Sequence, residues 1–348
     1  MVLVGPNGAG KTNILESISL LTPGRGMRRA TLAEMARNSE NTADESNRDW
    51  AIHAQVNGVL GPAAIGTGVQ GGHRIVRIDG ETASGPGALG QHLSTLWLTP
   101  IMDRLFAEGA GNRRRFFDRM VFGLNPRHGA ESAAYEKALR DRSRLLKQRR
   151  EETDWLNILE NRMAIHGVAI ADARLKAMRE LQFAIDDHSN SVFPRARLTL
   201  QGSIEDMLLS GMAVEDVGAC FNQQLKTGRA RDSDSGGASI GPHKTDLVVY
   251  HVETGHAATQ CSTGQQKALL INTILANTRC QMMRRNICPI LLLDEVAAHM
   301  DHRRRDALFN EVQNIGGQVW LTGTDREFFN GLKSHADFYT LEESVIMC

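Results

Sequence analysis

Four residues into the chain, an apolar run gives way to Gly5-Pro6-Asn7-Gly8-Ala9-Gly10-Lys11-Thr12, and this octapeptide limits the fold more than anything else in the sequence. The glycines let the backbone turn tightly enough for successive N–H groups to close around an anion. Lys11 is placed to reach the outer phosphates of a nucleotide, and the Thr12 hydroxyl to ligate Mg²⁺. Met1 to Val4 reads as a short buried strand. Lys11 to Leu21 reads as a helix whose positive end faces the bound charge. Strand, glycine loop and helix in that order match the Walker A pattern in full, a context that a fortuitous glycine-rich turn would lack. The expected ligands are ATP and Mg²⁺.

Near the other end, Ile290-Leu291-Leu292-Leu293-Asp294-Glu295 is an apolar strand closing on two carboxylates. Asp294 is suited to holding Mg²⁺ through water. Glu295 is suited to orienting or deprotonating an attacking water. Buried strands often end in an acid, so the run takes its meaning from the Walker A loop upstream. Just before it, Cys261-Ser262-Thr263-Gly264-Gln265-Gln266-Lys267 opens a helix. A hydroxyl residue and a glycine at a helix start make an anion site; alone, they would be an ordinary N-cap. Placed upstream of the Walker B strand, the segment reads as an ABC signature, with Cys261 for the usual Leu and Thr263 for the usual Gly. Asp301 takes the D-loop position. In Val319-Trp320-Leu321-Thr322-Gly323-Thr324-Asp325, Thr324 takes the switch position, where transporter ATPases carry a histidine. His243 is either a turn histidine or a polar neighbour of the site.

The remaining pattern splits the ATPase core. Residues 22–50 read as loop with a weak helical pattern, and 51–90 as glycine-rich hairpins turning at Asp79-Gly80. Residues 131–187 hold no Pro and one Gly, with apolar residues at helical spacing. They predict two long helices broken near His166-Gly167. Residues 228–239 are polar and read as a loop. Then come a strand from Leu247 to Val252, a helix over 264–284, a strand over 290–294, a helix over 303–314 and a strand over 318–322. The expected fold is α/β: an ABC-type P-loop ATPase head with an inserted α-helical arm. Its divisions are a head lobe at 1–125, the helical insertion at 126–235 and a second head lobe at 236–348.

Composition excludes little. Lys plus Arg number 40 and Asp plus Glu 40, but nucleic-acid binding follows local charge rather than the sum. Five cysteines, an odd number in no metal-ligand spacing, read as reduced thiols in a cytoplasm. Neither a signal peptide nor a membrane-spanning run is apparent, again as expected of a cytoplasmic chain.

Within the ABC class the details resemble the RecF family of bacterial recombination-repair ATPases. The likeness is carried by Ser262 to Lys267, by Asp294 to Asp301, by Gly241 to Leu247 (G-P-H-K-T-D-L), and by Thr99 to Asp118 with its Arg113-Arg114-Arg115-Phe116-Phe117-Asp118 ending. The last two are rarely seen outside that family, and with the helical insert the likeness runs over nearly the whole chain. It implies a head like those of SMC-like repair proteins, a short helical arm and ATP-dependent binding to gapped or single-stranded DNA. It also implies an ATP-dependent homodimer and cooperation with RecR and RecO, and through them with RecA. Site residues follow from the matched motifs: Gly5 to Thr12 for ATP, Thr12 and Asp294 for the metal, and Asp294 and Glu295 for catalysis. In the same way Ser262, Thr263, Gly264 and Gln265 would act in trans on the partner's nucleotide, with Asp301 at the same interface. One departure stands out. Members carry a few tens of residues before the Walker A strand, and their absence here implies an open sheet edge, from a misassigned start or a shortened product.

Residues 113–150 carry twelve Lys and Arg against four acids, a local excess of eight positive charges. Lys137, Arg140, Arg144 and Lys147 recur on one helical face. Arg140, Arg144 and Lys147 are the candidate DNA contacts; the alternative is a solvated face. The Arg113–Arg115 run could instead pair with Walker-side carboxylates. Three functions stay open: a slow DNA-stimulated ATPase, an ATP-bound DNA scaffold without useful hydrolysis, and another SMC-like ATPase or a transporter subunit. The long helical stretch between Lys11 and Ser262 speaks against a transporter.

Overall fold

The computed structural model describes residues 1–36, 49–58, 60–148, 152–188, 191–286, 288–298, 300–342 and 345–347. The weak helical pattern over 22–50 therefore falls partly outside the described residues, as do Arg149, Arg150 and Cys348. The chain forms two compact units, Met1–Asp103 with Asn190–Phe193 and Leu270–Cys348, and Arg104–Ser189 with Pro194–Leu269. These divisions differ from the 125/126 and 235/236 boundaries expected from the sequence pattern. The second unit takes in residues on both sides of the helical stretch.

The first unit contains β1 (Val2–Val4), α1 (Lys11–Leu20), β2 (Trp50–Gly58), β3 (Gly61–Gln70), β4 (His73–Ile78), β5 (Glu81–Thr82) and β6 (Thr95–Leu98). The second contributes α2 (Ala110–Leu124), α3 (Arg127–Gln148), α4 (Thr153–Asp187), β7 (Ala196–Gln201), α5 (Ser203–Leu209), α6 (Val214–Thr227), α7 (Arg229–Ser235) and β8 (Asp246–His251). Helix α8 (Thr263–Arg285) starts in the second unit and ends in the first. The chain then completes the first unit with β9 (Ile290–Leu293), α9 (His302–Ile315), β10 (Val319–Gly323), β11 (Phe338–Glu342) and β12 (Val345–Met347).

The main sheet runs β12-β11-β1-β10-β9-β6, parallel except for the β11–β12 pair. Continuous apolar strands such as Val2-Leu3-Val4 and Leu291-Leu292-Leu293 are what a sheet covered on both faces requires, and all six of these residues are buried. Leu3, Leu15, Trp97, Leu292 and Leu341 pack together around them. The strand before the glycine loop is not an edge: β1 is bonded to β10 on one side and β11 on the other. A separate antiparallel sheet, β2-β3-β4-β5, carries the expected hairpin. Its turn residues Asp79 and Gly80 both have positive φ, 50° and 86°, as a tight I′ turn demands.

Two expectations are corrected in the second unit. Helix α4 runs unbroken through His166 and Gly167; the two long helices are instead α3, described to Gln148, and α4, described from Thr153. Gly167 is there for packing. A Cβ on it would come 2.8 Å from the Phe221 ring, so its small size lets α6 approach α4. Residues 229–235, expected as loop, form the short helix α7. One of its polar residues turns inward: Asp232 is buried and paired.

Candidate nucleotide site

The glycine loop joins β1 to α1, and its backbone follows from its composition. Gly8 and Gly10 have φ of 87° and 95°, a region closed to most side chains. Gly5 is needed for a different reason, because a Cβ there would lie 2.3 Å from the Leu341 carbonyl oxygen. Lys11 is buried, and its Nζ donates to the carbonyl oxygens of Gly5 (2.7 Å) and Pro6 (3.0 Å). The ammonium is thus held over the loop it belongs to.

Asp294 lies at the end of β9, two strands from β1, with β10 between them. The Thr12 hydroxyl donates to both its oxygens, at 3.2 and 3.1 Å. The motifs at the two ends of the chain therefore meet. A hydroxyl bonded to a carboxylate is a donor set that fits a magnesium ion, the hydroxyl as a ligand and the carboxylate as acceptor for a metal-bound water. Mg²⁺ takes only one or two protein oxygens and fills its shell with phosphate and water. It therefore needs no larger acidic cluster, and none occurs among the described residues. Glu295 follows, half-buried, with φ 51°, a conformation that costs a non-glycine residue about 1–3 kcal/mol.

One residue of this site has no role that its motif would predict. Thr322, buried on β10, donates its hydroxyl proton to Asp294 Oδ1 (2.7 Å) and accepts from the Glu295 backbone N–H (2.9 Å). The next residue's carbonyl, on Gly323, accepts from the Gly5 N–H at 3.3 Å. Only the alternation of β10, which turns Thr322 toward the site, could have pointed to it. Thr324 lies beyond the end of β10 and is exposed.

In the second unit, Ser262 begins α8. The Gln265 N–H donates to Ser262 Oγ (3.3 Å), and the Ser262 N–H donates to Gln265 Oε1 (3.0 Å). This is a reciprocal capping box. Ser262, Thr263 and Gly264 are exposed. Asp301 caps α9 through the Arg304 N–H (2.9 Å) and is exposed.

The basic segment divides in two. Arg113 pairs with Asp246 (2.6 Å) and Arg114 donates to the Thr245 carbonyl (2.8 Å). Arg113 and Arg114 are thus engaged with the Gly241–Leu247 segment rather than the Walker carboxylates, and Arg115 donates to Asn112. Asp118 accepts two bonds from Arg174 (2.8 and 2.9 Å) and lies 3.0 Å from His128. Burial pushes the Asp118 carboxyl up, but the Arg174 charge and the His128 hydrogen bond outweigh it and hold it well below the usual carboxylate range. Arg142, fully buried, pairs with Glu160 (2.9 Å) and Asp232 (2.8 Å). Lys137, Arg140, Arg144 and Lys147 are exposed on α3; Arg140 pairs with Glu136 and Arg144 with Asp141, both on the same helix. His243 is a turn histidine: its Nε2 donates to the Ala238 carbonyl (2.9 Å), leaving Nδ1 to accept from Tyr135 (2.7 Å). Cys220, Cys261, Cys280 and Cys288 are free thiols. Among the described residues no helix is long and apolar enough to cross a membrane.

A parallel sheet whose glycine loop and paired carboxylates meet at one end, with a helical unit inserted between them in sequence, defines a P-loop ATPase head of the ABC type. The RecF/RecN/SMC N terminal domain model matches residues 1–346. A relative from Caulobacter sp. (strain K31), named DNA replication and repair protein RecF, is 45% identical over 96% of this chain and 88% of its own length. Another of that name, from Caulobacter vibrioides, is 46% identical over the same shares. The chain belongs to the RecF family. The fold is similar to that of a solved structure described as the recombination mediator protein RecF with ATP in the RecFOR pathway. That similarity has a TM-score of 0.82 at 21% identity, over 99% of this chain and 90% of that one.

Proposed function

We propose that the chain is an ATP-dependent DNA-binding protein of recombinational repair, one that recognises gapped or single-strand/double-strand junction DNA and helps to load the recombinase at stalled forks. ATP closes a homodimer on DNA, and slow hydrolysis opens it. The observation that carries this reading is the meeting of Thr12 with Asp294 beside a buried Lys11. The solved relative named with ATP supports the choice of nucleotide. The RecFOR pathway in that name supports RecR and RecO as partners, with RecA reached through them.

The residues divide the work. Lys11 exchanges the Gly5 and Pro6 carbonyls for the outer phosphate oxygens. Thr12 and Asp294 hold Mg²⁺, which when bound offsets the charge that builds on the phosphates. Glu295 takes a proton from the attacking water as the new P–O bond forms; the bond to the bridging oxygen breaks, and ADP leaves with its electron pair. Ser262, Thr263, Gly264 and Gln265 face the partner's nucleotide across a two-fold interface, with Asp301 beside them. The capping box at Ser262 has a role here: it keeps the start of α8 ordered and its outward face uncovered.

Sedimentation with ATP and gapped DNA tests the arrangement. Ser262→Arg should bind ATP like the wild type, since its own glycine loop is untouched, yet fail to dimerise because a bulky cation blocks the docking surface. An ATP-dependent dimer of Ser262→Arg would sink the trans site. Turnover measured with and without gapped DNA separates an ATPase from an ATP-bound scaffold.

A further inference from the structure

We infer that Thr322 is a positioning residue of the nucleotide site, a reading that rests on the proposed ATP hydrolysis. Its side chain joins the two acidic positions that the chemistry separates. A threonine hydroxyl has one proton and accepts through its lone pairs. Here the proton goes to Asp294 Oδ1 and a lone pair takes the Glu295 N–H. The bonds are 2.7 and 2.9 Å long, and Thr322 itself is only 1% exposed. The hydroxyl is therefore fixed from both sides, and the branched Cβ limits its rotation further.

Asp294 is held by two hydroxyls, and they differ in what becomes of them. Thr12 sits beside the glycine loop, and when its oxygen ligates the metal, its bond to Asp294 is no longer assured. Thr322 approaches from β10, the strand between the two Walker strands, and its bond to Oδ1 does not depend on the ligand. It keeps the carboxylate aimed while the other oxygen serves the metal's water shell. The same hydroxyl anchors the main chain of Glu295, the residue with positive φ. Without that anchor, Glu295 can relax toward an ordinary backbone conformation and carry its carboxylate away from the attacking water. Gly323 extends the arrangement, since its carbonyl takes the Gly5 N–H that opens the glycine loop. The end of β10 thus touches all three elements that must be in register for hydrolysis.

The test compares Thr322→Val, which keeps shape and loses both bonds, with Thr322→Ser, which keeps both. Partners of this kind are worth about 10- to 100-fold in activity. Thr322→Val should lower kcat by about that factor, with KM for MgATP rising only as far as the magnesium contribution to binding is lost. Its affinity for ATP in EDTA should match wild type, while the gain on adding Mg²⁺ should shrink. Thr322→Ser should restore kcat. A wild-type kcat in Thr322→Val, a change in KM alone, or a serine variant as slow as the valine one would each overturn the inference. Should Thr322→Val fail to fold by circular dichroism, Thr322→Cys, with its weak S–H donor, should fold and show an intermediate kcat; wild-type kcat there would overturn it equally. A wild-type protein that neither binds nor hydrolyses ATP, or a Lys11→Ala protein that hydrolyses normally, would overturn the proposed function itself.

Discussion

Both units bury charge, and they treat it in opposite ways. Around Arg142 and Arg174 in the second unit, each guanidinium meets carboxylates and carbonyls of its own unit, and the set is closed: Glu160 and Asp232 on one, Asp118 and the Pro242 carbonyl on the other. In the first unit, Lys11 rests on two neutral carbonyls, and Asp294 on two hydroxyls. No opposite charge answers either one in these bonds. Closed pairs define a shape; charges lent to neutral partners can be reclaimed by a phosphate or a metal. The difference separates residues that hold the arm together from residues that wait for a ligand.

If that contrast holds, changes at the head should cost function and changes in the arm should cost stability. Glu295→Gln should slow hydrolysis by roughly 10²–10⁴-fold while ATP binding persists; steady-state turnover beside a filter-binding assay reads both. Wild-type turnover would remove Glu295 from the chemistry. Arg142→Ala should destabilise the protein by about 3–5 kcal/mol, because it leaves Glu160 and Asp232 facing an emptied interior. Chemical denaturation measures this, and a loss within error would mean that the arm tolerates open charge as the head does.

A smaller effect separates the two by pH. The Asp118 carboxyl is held below its unfolded value, so the unfolded chain binds the extra proton first. Its contribution is present above pH ~4 and is lost as the pH falls toward the folded value. Asp118→Asn should flatten the stability of the protein against pH below about 4 relative to wild type. An unchanged acid limb would show that other carboxylates govern it. The smallest expected effect lies on the exposed face of α3. Neutralising Arg140 and Arg144 together should flatten the slope of log K against log salt on duplex DNA by roughly 1.8, two contacts' worth. Their pairs with Glu136 and Asp141 offer little resistance, since exposed helix pairs contribute only about 0.3–0.5 kcal/mol. An unchanged slope would mark the face as merely solvated.

What could be read from the sequence depended on how local the cause was. The glycine loop, the Ile290–Glu295 strand and the Asp79-Gly80 turn are each dictated by neighbours in sequence, and each took the expected form. The break near Gly167 did not, because the glycine answers to Phe221, a residue far along the chain. Helix α7 was hidden for the same reason: a polar stretch looks like loop until Arg142 is known to receive Asp232. The three arginines at 113–115 read as one basic run, yet Arg113 and Arg114 are engaged with the Gly241–Leu247 segment. Thr322 lay in the switch segment but had no role assigned to it, since its meaning comes from lying one strand away from Asp294.

The pairing of β1 has a consequence for how the protein comes into being. Val2 is matched with Leu321 on one side and Phe338 on the other, so on the nascent chain β1 stays without either sheet neighbour until those distant residues are made. At about 5–20 residues per second, that delay is on the order of tens of seconds. Throughout it the glycine loop has no sheet to stand on and Asp294 is not yet made for much of the time. A nascent or prematurely ended chain therefore cannot assemble the nucleotide site. Synthesis of β9, β10 and β11 thus precedes the first round of nucleotide binding.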